Sequence, residues 1–472
     1  MEKADIGLIG LGVMGSNLAL NIAEKGHRIA VYNRTPEKTD AFVASAGELR
    51  DRIIPCKSLE ELAEAIRPPR PVIIMVLAGQ PVDEQIEHLR GVLSDGDIMI
   101  DAGNANFRDT VRRFAELENS GLTFIGMGVS GGEEGARHGP SIMVGGTKEA
   151  YARVEDVLTA ISAKYEGEAC SAWLGTDGAG HFVKTIHNGI EYGDMQMIAE
   201  VYGILRDGLG MAPKDIGKVF GEWNKGRLNS YLIEITAEVL AADDPKTGKP
   251  VVDIILDRAG QKGTGKWSAI EAQTLGVPAT TIEAAVSARV LSSMKDQRLA
   301  AEKAYGKPDV TALSKDRDAV LADLELALFA GKIAAYAQGF AVMDAASKEF
   351  GWNLPLPTVA KIWRAGCIIR SQFLGTLADA FGGAPVANLL MAPAFVEMMS
   401  EAHPALRRIV AKASEAGLPV PALASALAYF DSYRQGRGTS DLIQGQRDFF
   451  GAHGFERIDG PGAFHGPWGS NA

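Results

Sequence analysis

Ile6-Gly7-Leu8-Ile9-Gly10-Leu11-Gly12-Val13-Met14-Gly15 decides the fold class of this chain. An apolar run of strand length feeds into GxGxxG and then into a helix-compatible segment. GxGxxG by itself marks only a turn. Between a strand and a helix its glycines permit a tight turn and close backbone approach, with the first helical amides aimed at a pyrophosphate. Outward from this unit, residues 28–32, 72–77, 97–101 and 123–127 read as further buried strands separated by amphipathic stretches. Such alternation is the βαβ signature of a parallel sheet. The expectation for 1–178 is an α/β, Rossmann-type, doubly wound dinucleotide-binding domain.

The second strand bears on which dinucleotide. NAD sites usually end it with a carboxylate for the ribose 2′-hydroxyl. Here it ends Val31-Tyr32-Asn33-Arg34-Thr35. Arg34 offers a planar cation for a 2′-phosphate, and Lys38 adds charge one helical turn on. NADP is favoured over NAD.

From residue 179 the texture changes to long Ala-, Leu-, Ile- and Met-rich segments, read as an all-helical domain over 179–434. At its start, a helix over 178–192 places Lys184, His187, Asn188 and Glu191 at i, i+3, i+4 and i+7 on one face. Phe182, Val183, Ile186, Ile190 and Met197 take the other side. The polar face is either a proton-transfer constellation or an ordinary solvated, ion-paired surface. Trp223-x-x-Gly226 and Trp363-x-x-Gly366, each followed by an apolar segment with a serine, hint at a duplicated helical unit.

Two glycine-rich segments suit anions. In Gly126-Met127-Gly128-Val129-Ser130-Gly131-Gly132-Glu133-Glu134-Gly135-Ala136 the backbone amides and Ser130 can donate; the alternative is a structural turn between strand and helix. Gln261-Lys262-Gly263-Thr264-Gly265-Lys266-Trp267 sets two lysines in a loop without triphosphatase spacing, and Arg289 follows on a helix. The tail, 435–472, starts as a loop and continues with a short helix near Ser440 or Asp441. It carries Phe449, Phe450, Phe455, Phe464 and Trp468, too many rings for so short a segment to bury alone.

The formal charge of −11 argues against bulk attraction to nucleic acid or anionic membrane. Cys56, Cys170 and Cys367 form neither a disulfide framework nor a metal-ligand pattern, so no metal is expected and the cytoplasm is the simplest location. No secretory signal is evident, and no stretch reads as the roughly 18 apolar residues of a membrane span.

GLGVMG, NRT, GVSGGEEGARHGPS, GHFVKTIHNGIEYGDMQ, QKGTGKW, RAGCIIRSQFL and LIQGQRDFFGAH together closely resemble the long, dimeric form of 6-phosphogluconate dehydrogenase, over nearly the whole chain. The resemblance implies oxidative decarboxylation of 6-phosphogluconate to ribulose 5-phosphate and CO2 with NADP reduced. Lys184 matches the general base and Glu191 the general acid, with Asn188 and His187 orienting the sugar. Asn104, Ser130, Gly131, Gly132, His187, Asn188, Tyr192, Lys262 and Arg289 match substrate-binding positions. Arg447 and His453 match tail residues that reach the neighbouring subunit's active site, implying a homodimer. Gly10, Leu11, Gly12, Val13, Met14, Gly15, Asn33, Arg34, Thr35, Val76, Leu77, Ala78 and Asn104 match the NADP site. Leu77 stands where many members have Lys, Val144 where Pro is common, and Gly438-Thr439-Ser440-Asp441 replaces a more usual Leu-Pro-Ala-Asn. The alternatives are another β-hydroxyacid dehydrogenase, with little use for Lys262, Arg289 and Arg447 together, or a non-catalytic NADP-binding sensor.

Overall fold

The computed structural model describes residues 2–307, 309–310, 313 and 317–468. Its N-terminal strands are β1 (Ile6–Ile9), β2 (Ile29–Tyr32), β3 (Ile53–Cys56), β4 (Pro71–Ile74), β5 (Ile98–Asp101), β6 (Thr123–Ser130), β7 (Ser141–Gly145), a small hairpin of β8 (Lys164–Tyr165) and β9 (Glu168–Ala169), and β10 (Ser171–Gly175). One sheet runs in the order β10-β7-β6-β5-β4-β1-β2-β3. Strands β1 to β6 are parallel, with helices on both faces, as the alternation predicts. The order reverses between β1 and β4, leaving a crevice beyond their carboxyl ends where such folds bind ligands.

Three details differ from the sequence reading. Strand β7 runs antiparallel to β6: only residues 131–140 connect them, too few for a parallel crossover of about a dozen residues. Strand β4 ends at Ile74, three residues short of the expected 77. Gly126 to Ser130 belong to β6 and not to a loop. Strands β3, β7 and β10 escaped the sequence reading because they are short and glycine-bounded or, for β3, carry Pro55, which only an edge strand tolerates.

Beyond Gly175 the helix Ala179–Gly203 crosses from the sheet into an all-helical half. It packs against the 34-residue helix Arg317–Phe350, which in turn packs on Pro393–Glu415. Small residues allow close approach: a Cβ on Gly339 would lie 2.6 Å from Ile190. Contrary to the sequence reading, Arg317–Phe350 is long and apolar enough to cross a membrane, but 89% of its apolar window is buried inside the protein. The two tryptophan segments of the internal echo meet. Ser230 and Ser371 form an antiparallel bridge, flanked by hydrogen bonds from Tyr231 N to Arg370 O and from Gln372 N to Asn229 O.

The two halves are joined firmly near the crevice. Phe107 from the sheet side stacks edge-on against Phe182 at 4.9 Å and Trp352 at 5.9 Å. Arg108 donates two hydrogen bonds, 2.8 and 2.6 Å, to the buried Glu271 carboxylate of the helix Thr264–Thr274. The tail forms its expected helix, Ser440–Gly451, followed by a hairpin of Phe455–Arg457 and Gly460–Phe464. Phe449 and Phe450 stay about 70% exposed, so the chain alone does not bury these rings.

Candidate active site

At the crevice each glycine of the first turn has a separate cause. Gly10 takes φ +101°, and a Cβ there would sit 2.3 Å from Met75 O; a Cβ on Gly15 would strike Gly10 O. Both are needed for the turn. A Cβ on Gly12 would meet nothing within 4 Å, so this side of the turn is open to a ligand. The helix Val13–Glu24 begins with no side-chain cap and no acidic residue in its first turn, leaving its amides for an anion. Asn33 braces the turn: Leu11 N donates to its Oδ1 at 3.0 Å, and its Nδ2 donates to Thr35 O.

A cavity of about 330 Å³ opens alongside, lined by Gly10, Asn33, Arg34, Thr35, Lys38, Val76 and Leu77, among others. Arg34 and Lys38 are exposed, and no carboxylate stands at the tip of β2. Arg34 makes no described hydrogen bond or ion pair. Open backbone, free amides and two cations fit a dinucleotide bearing a 2′-phosphate. Leu77 is 81% exposed, an apolar side chain at the cavity mouth. Ala78 completes the turn between β4 and the next helix, and Asn104 lies exposed in the loop after β5.

Against the end of β6 lies the polar face of Ala179–Gly203. It is not a solvated surface. Lys184 is 6% exposed and His187 fully buried, while Asn188 and Glu191 are half-buried. Gly128 lets the helix press on β6, since a Cβ there would lie 2.5 Å from Lys184 Cβ. The glycines of 126–128 therefore serve close packing, and only Gly131 and Gly132, with positive φ, form the turn beside Ser130.

Lys184 Nζ donates to Ser130 Oγ at 3.2 Å, and Ser130 Oγ lies 3.2 Å from His187 Nε2. Asn188 Nδ2 donates to Thr264 Oγ1 at 3.2 Å. His187 Nδ1 and Asn188 Oδ1 are buried without a hydrogen-bond partner, polar atoms left for a bound molecule. Burial lowers the Lys184 pKa, opposed by Glu191 and Cys367. Burial raises that of Glu191, opposed by Lys184 and Arg289 and assisted by Asp194. Burial and Lys184 hold His187 far below its usual range, so it is neutral. An amine pushed toward neutrality beside a carboxyl pushed toward protonation is a base and an acid ready for opposite tasks.

Tyr192 and Arg289 form the next wall, the guanidinium 3.5 Å from the ring centroid. Gly265 must be glycine because a Cβ there would run into the Tyr192 ring at 2.4 Å. Lys262 is exposed in the loop before this helix, whereas Lys266 is inside the helix and not in the loop as expected. Arg447 and His453 are on the tail, where the described side-chain hydrogen bonds of residues 440–468 close within the tail, so this one chain does not link them to the Lys184 face.

Several contributing residues gave no sequence signal. Thr264 holds Asn188, and Ser268 Oγ donates to Thr185 O. Buried Arg113 ties the end of β5 to the loop and helix after β4 by donating to Asp83 Oδ1 at 2.7 Å, Gly79 O at 2.9 Å and Asp101 Oδ2 at 3.3 Å. Cys367 lies near Lys184 with its thiol pushed up to about 12 by burial, a thiol and not a thiolate.

Fold and site define a nicotinamide-dinucleotide dehydrogenase whose helical half carries a buried Lys184–Glu191 pair. A family model described as "NAD binding domain of 6-phosphogluconate dehydrogenase" matches residues 5–175, and "6-phosphogluconate dehydrogenase, C-terminal domain" matches 180–468. The NADP(+)-dependent, decarboxylating 6-phosphogluconate dehydrogenase of Bacillus subtilis is 49% identical, covering 99% of this chain and 100% of the relative. An NAD(+)-dependent one from the same organism is 46% identical over 98% of this chain and 99% of its own length. The solved 6-phosphogluconate dehydrogenase of Plasmodium falciparum, studied with NADP+ and with 6-phosphogluconate, superposes with a TM-score of 0.94 at 42% identity, covering 98% of this chain and 100% of that one. This chain belongs to the 6-phosphogluconate dehydrogenase family.

Proposed function

We infer that the chain catalyses oxidative decarboxylation of 6-phospho-D-gluconate to D-ribulose 5-phosphate and CO2, with reduction of NADP to NADPH. Full-length similarity to NADP-dependent, decarboxylating relatives supports the reaction. The buried Lys184–Glu191 pair, its two pKa values driven toward each other, is the single observation that carries the mechanism.

Bound NADP, held by the Gly10–Gly15 turn, Asn33, Arg34, Thr35 and the Val76–Ala78 loop, supplies the hydride acceptor. Lys184, uncharged, takes the proton of the C3 hydroxyl as hydride leaves C3. The resulting ketone can accept the electron pair released with CO2, and protonated Lys184 returns its proton to that oxygen. An ammonium here serves where other decarboxylases use a metal. Glu191, protonated, then gives its proton to C1 of the enediol. The unpartnered atoms of His187 and Asn188 orient sugar hydroxyls, with Asn104 bordering both ligands. Ser130, Gly131 and Gly132 hold the carboxylate. Tyr192, Lys262 and Arg289 meet the phosphate, where guanidinium geometry suits paired oxygens.

The tail belongs to this reading as a loan between subunits. Its exposed Phe449 and Phe450 fit a homodimer in which Arg447 and His453 complete the partner's phosphate site. The chain divides into 1–178, 179–434 and 435–472 accordingly. Three free, buried thiols suit a reducing compartment, and we assign the enzyme to the cytoplasm.

The NAD-dependent relative makes the cofactor the point to test first. Initial rates with 6-phosphogluconate, read as NAD(P)H absorbance beside CO2 release, should favour NADP in kcat/KM. Rates only with a small unphosphorylated 3-hydroxy acid, or none with either cofactor, would overturn the assignment.

A further inference from the structure

Asp448 is the most completely satisfied carboxylate of the tail, and neither the fold nor the mechanism above has used it. It lies in the helix Ser440–Gly451 at 3% exposure, between Arg447 and His453 in sequence. Its Oδ1 accepts from Gly454 N at 2.8 Å and from His465 Nδ1 at 2.7 Å. Its Oδ2 accepts from Gly466 N at 2.9 Å and from Trp468 Nε1 at 2.6 Å. Because an ionised carboxylate only accepts, His465 must carry its proton on Nδ1.

Each bond has a consequence for shape. The Gly454 bond closes the turn in which Ala452 takes a left-handed φ of 47° and which carries His453. The bonds to residues 465–468 fold the end of the hairpin back onto the helix and bring Trp468 to 6.1 Å from Phe449. Arg447, on the same turn of helix, is steadied by Gln444 Oε1 at 3.0 Å, while Gln444 Nε2 donates to Gly454 O. A segment of this length has too little core of its own to hold such a shape by apolar burial.

We propose that Asp448 is a positioning residue that pre-shapes the tail, fixing Arg447 and His453 in the geometry with which they meet the substrate phosphate of the partner subunit. The inference rests on the reading that the tail completes the neighbouring site. Pre-shaping lowers the ordering cost of docking, so it belongs in substrate affinity and not in the chemical step.

The test is steady-state kinetics of full-length Asp448→Asn beside Arg447→Ala. An amide offers acceptors at one end only, so two of the four donors would face an NH2 group. In Asp448→Asn the KM for 6-phosphogluconate should rise about tenfold or more, the size of one lost charged hydrogen bond. KM for NADP and kcat at saturating sugar acid should stay near wild type, a split that loss of global stability would not give. Trp468→Phe, removing one donor of four, should fall in between. If Arg447→Ala raises the KM and Asp448→Asn does not, the positioning role is wrong. If Arg447→Ala leaves the KM unchanged, the tail is not part of the site, and both readings fall.

Discussion

Gly128→Ala perturbs the site without removing any chemical group. The added Cβ would lie 2.5 Å from Lys184 Cβ, 3.0 Å from Lys184 Cγ and 3.1 Å from Gly180 O. Ordinary contact begins near 3.4 Å, so strand and helix must separate by about 1 Å at the turn that carries Lys184. Overpacking of this kind costs about 1–3 kcal/mol of stability. The same shift stretches the 3.2 Å bond from Lys184 Nζ to Ser130 Oγ beyond hydrogen-bonding range. A misplacement of about 1 Å in a reacting group can lower the rate about a hundredfold, or about 2.7 kcal/mol in barrier. The assay is NADPH absorbance with both substrates varied, beside a thermal melt. Gly203→Ala, on the same helix with nothing within 4 Å of its new Cβ, is the control and should be silent. A Gly128→Ala enzyme with wild-type kcat would refute the claim that this glycine sets the position of Lys184.

Arg34→Ala should raise the KM for NADP by about 10- to 100-fold and leave that for NAD unchanged, since it removes charged hydrogen bonds to a 2′-phosphate alone; equal losses with both cofactors would contradict its role. The pH profile should be bell-shaped. Rates fall on the acid side as Lys184, its pKa lowered by burial, gains a proton, and on the alkaline side as Glu191, its pKa raised by burial, loses one. Glu191→Gln should turn over more slowly and lose the alkaline limb; an unchanged limb would assign it to another group. Lys332→Met should destabilise the helical half by about 3–5 kcal/mol in urea titration, because it strands buried Asp194, now held by Nζ bonds of 2.8 and 2.6 Å.

What the sequence could reveal followed from periodicity and motif context. The GxGxxG unit between strand and helix, the bare tip of β2 and the i, i+3, i+4, i+7 face of the Lys184 helix were all readable, because each depends on local spacing. Whether that face was solvated was not readable, since Lys184 is covered by Gly128 and Ser130 of β6, which meet it from more than fifty residues away in the chain. The same holds for Arg113 and Asp448: an isolated Arg or Asp looks like any surface charge until tertiary structure supplies its partners. The antiparallel direction of β7 was not readable because it is set by the shortness of the link from β6, a constraint that hydropathy does not carry.

Lys184→Met tests the mechanism most directly. It keeps an unbranched side chain only one atom shorter, and apolar enough for the buried position, while deleting the amine. Calorimetry should find 6-phosphogluconate and NADP still bound, and single-turnover absorbance should find no NADPH formed on the wild-type timescale. Near-normal NADPH formation by that variant would mean that the proton leaves the substrate by another route.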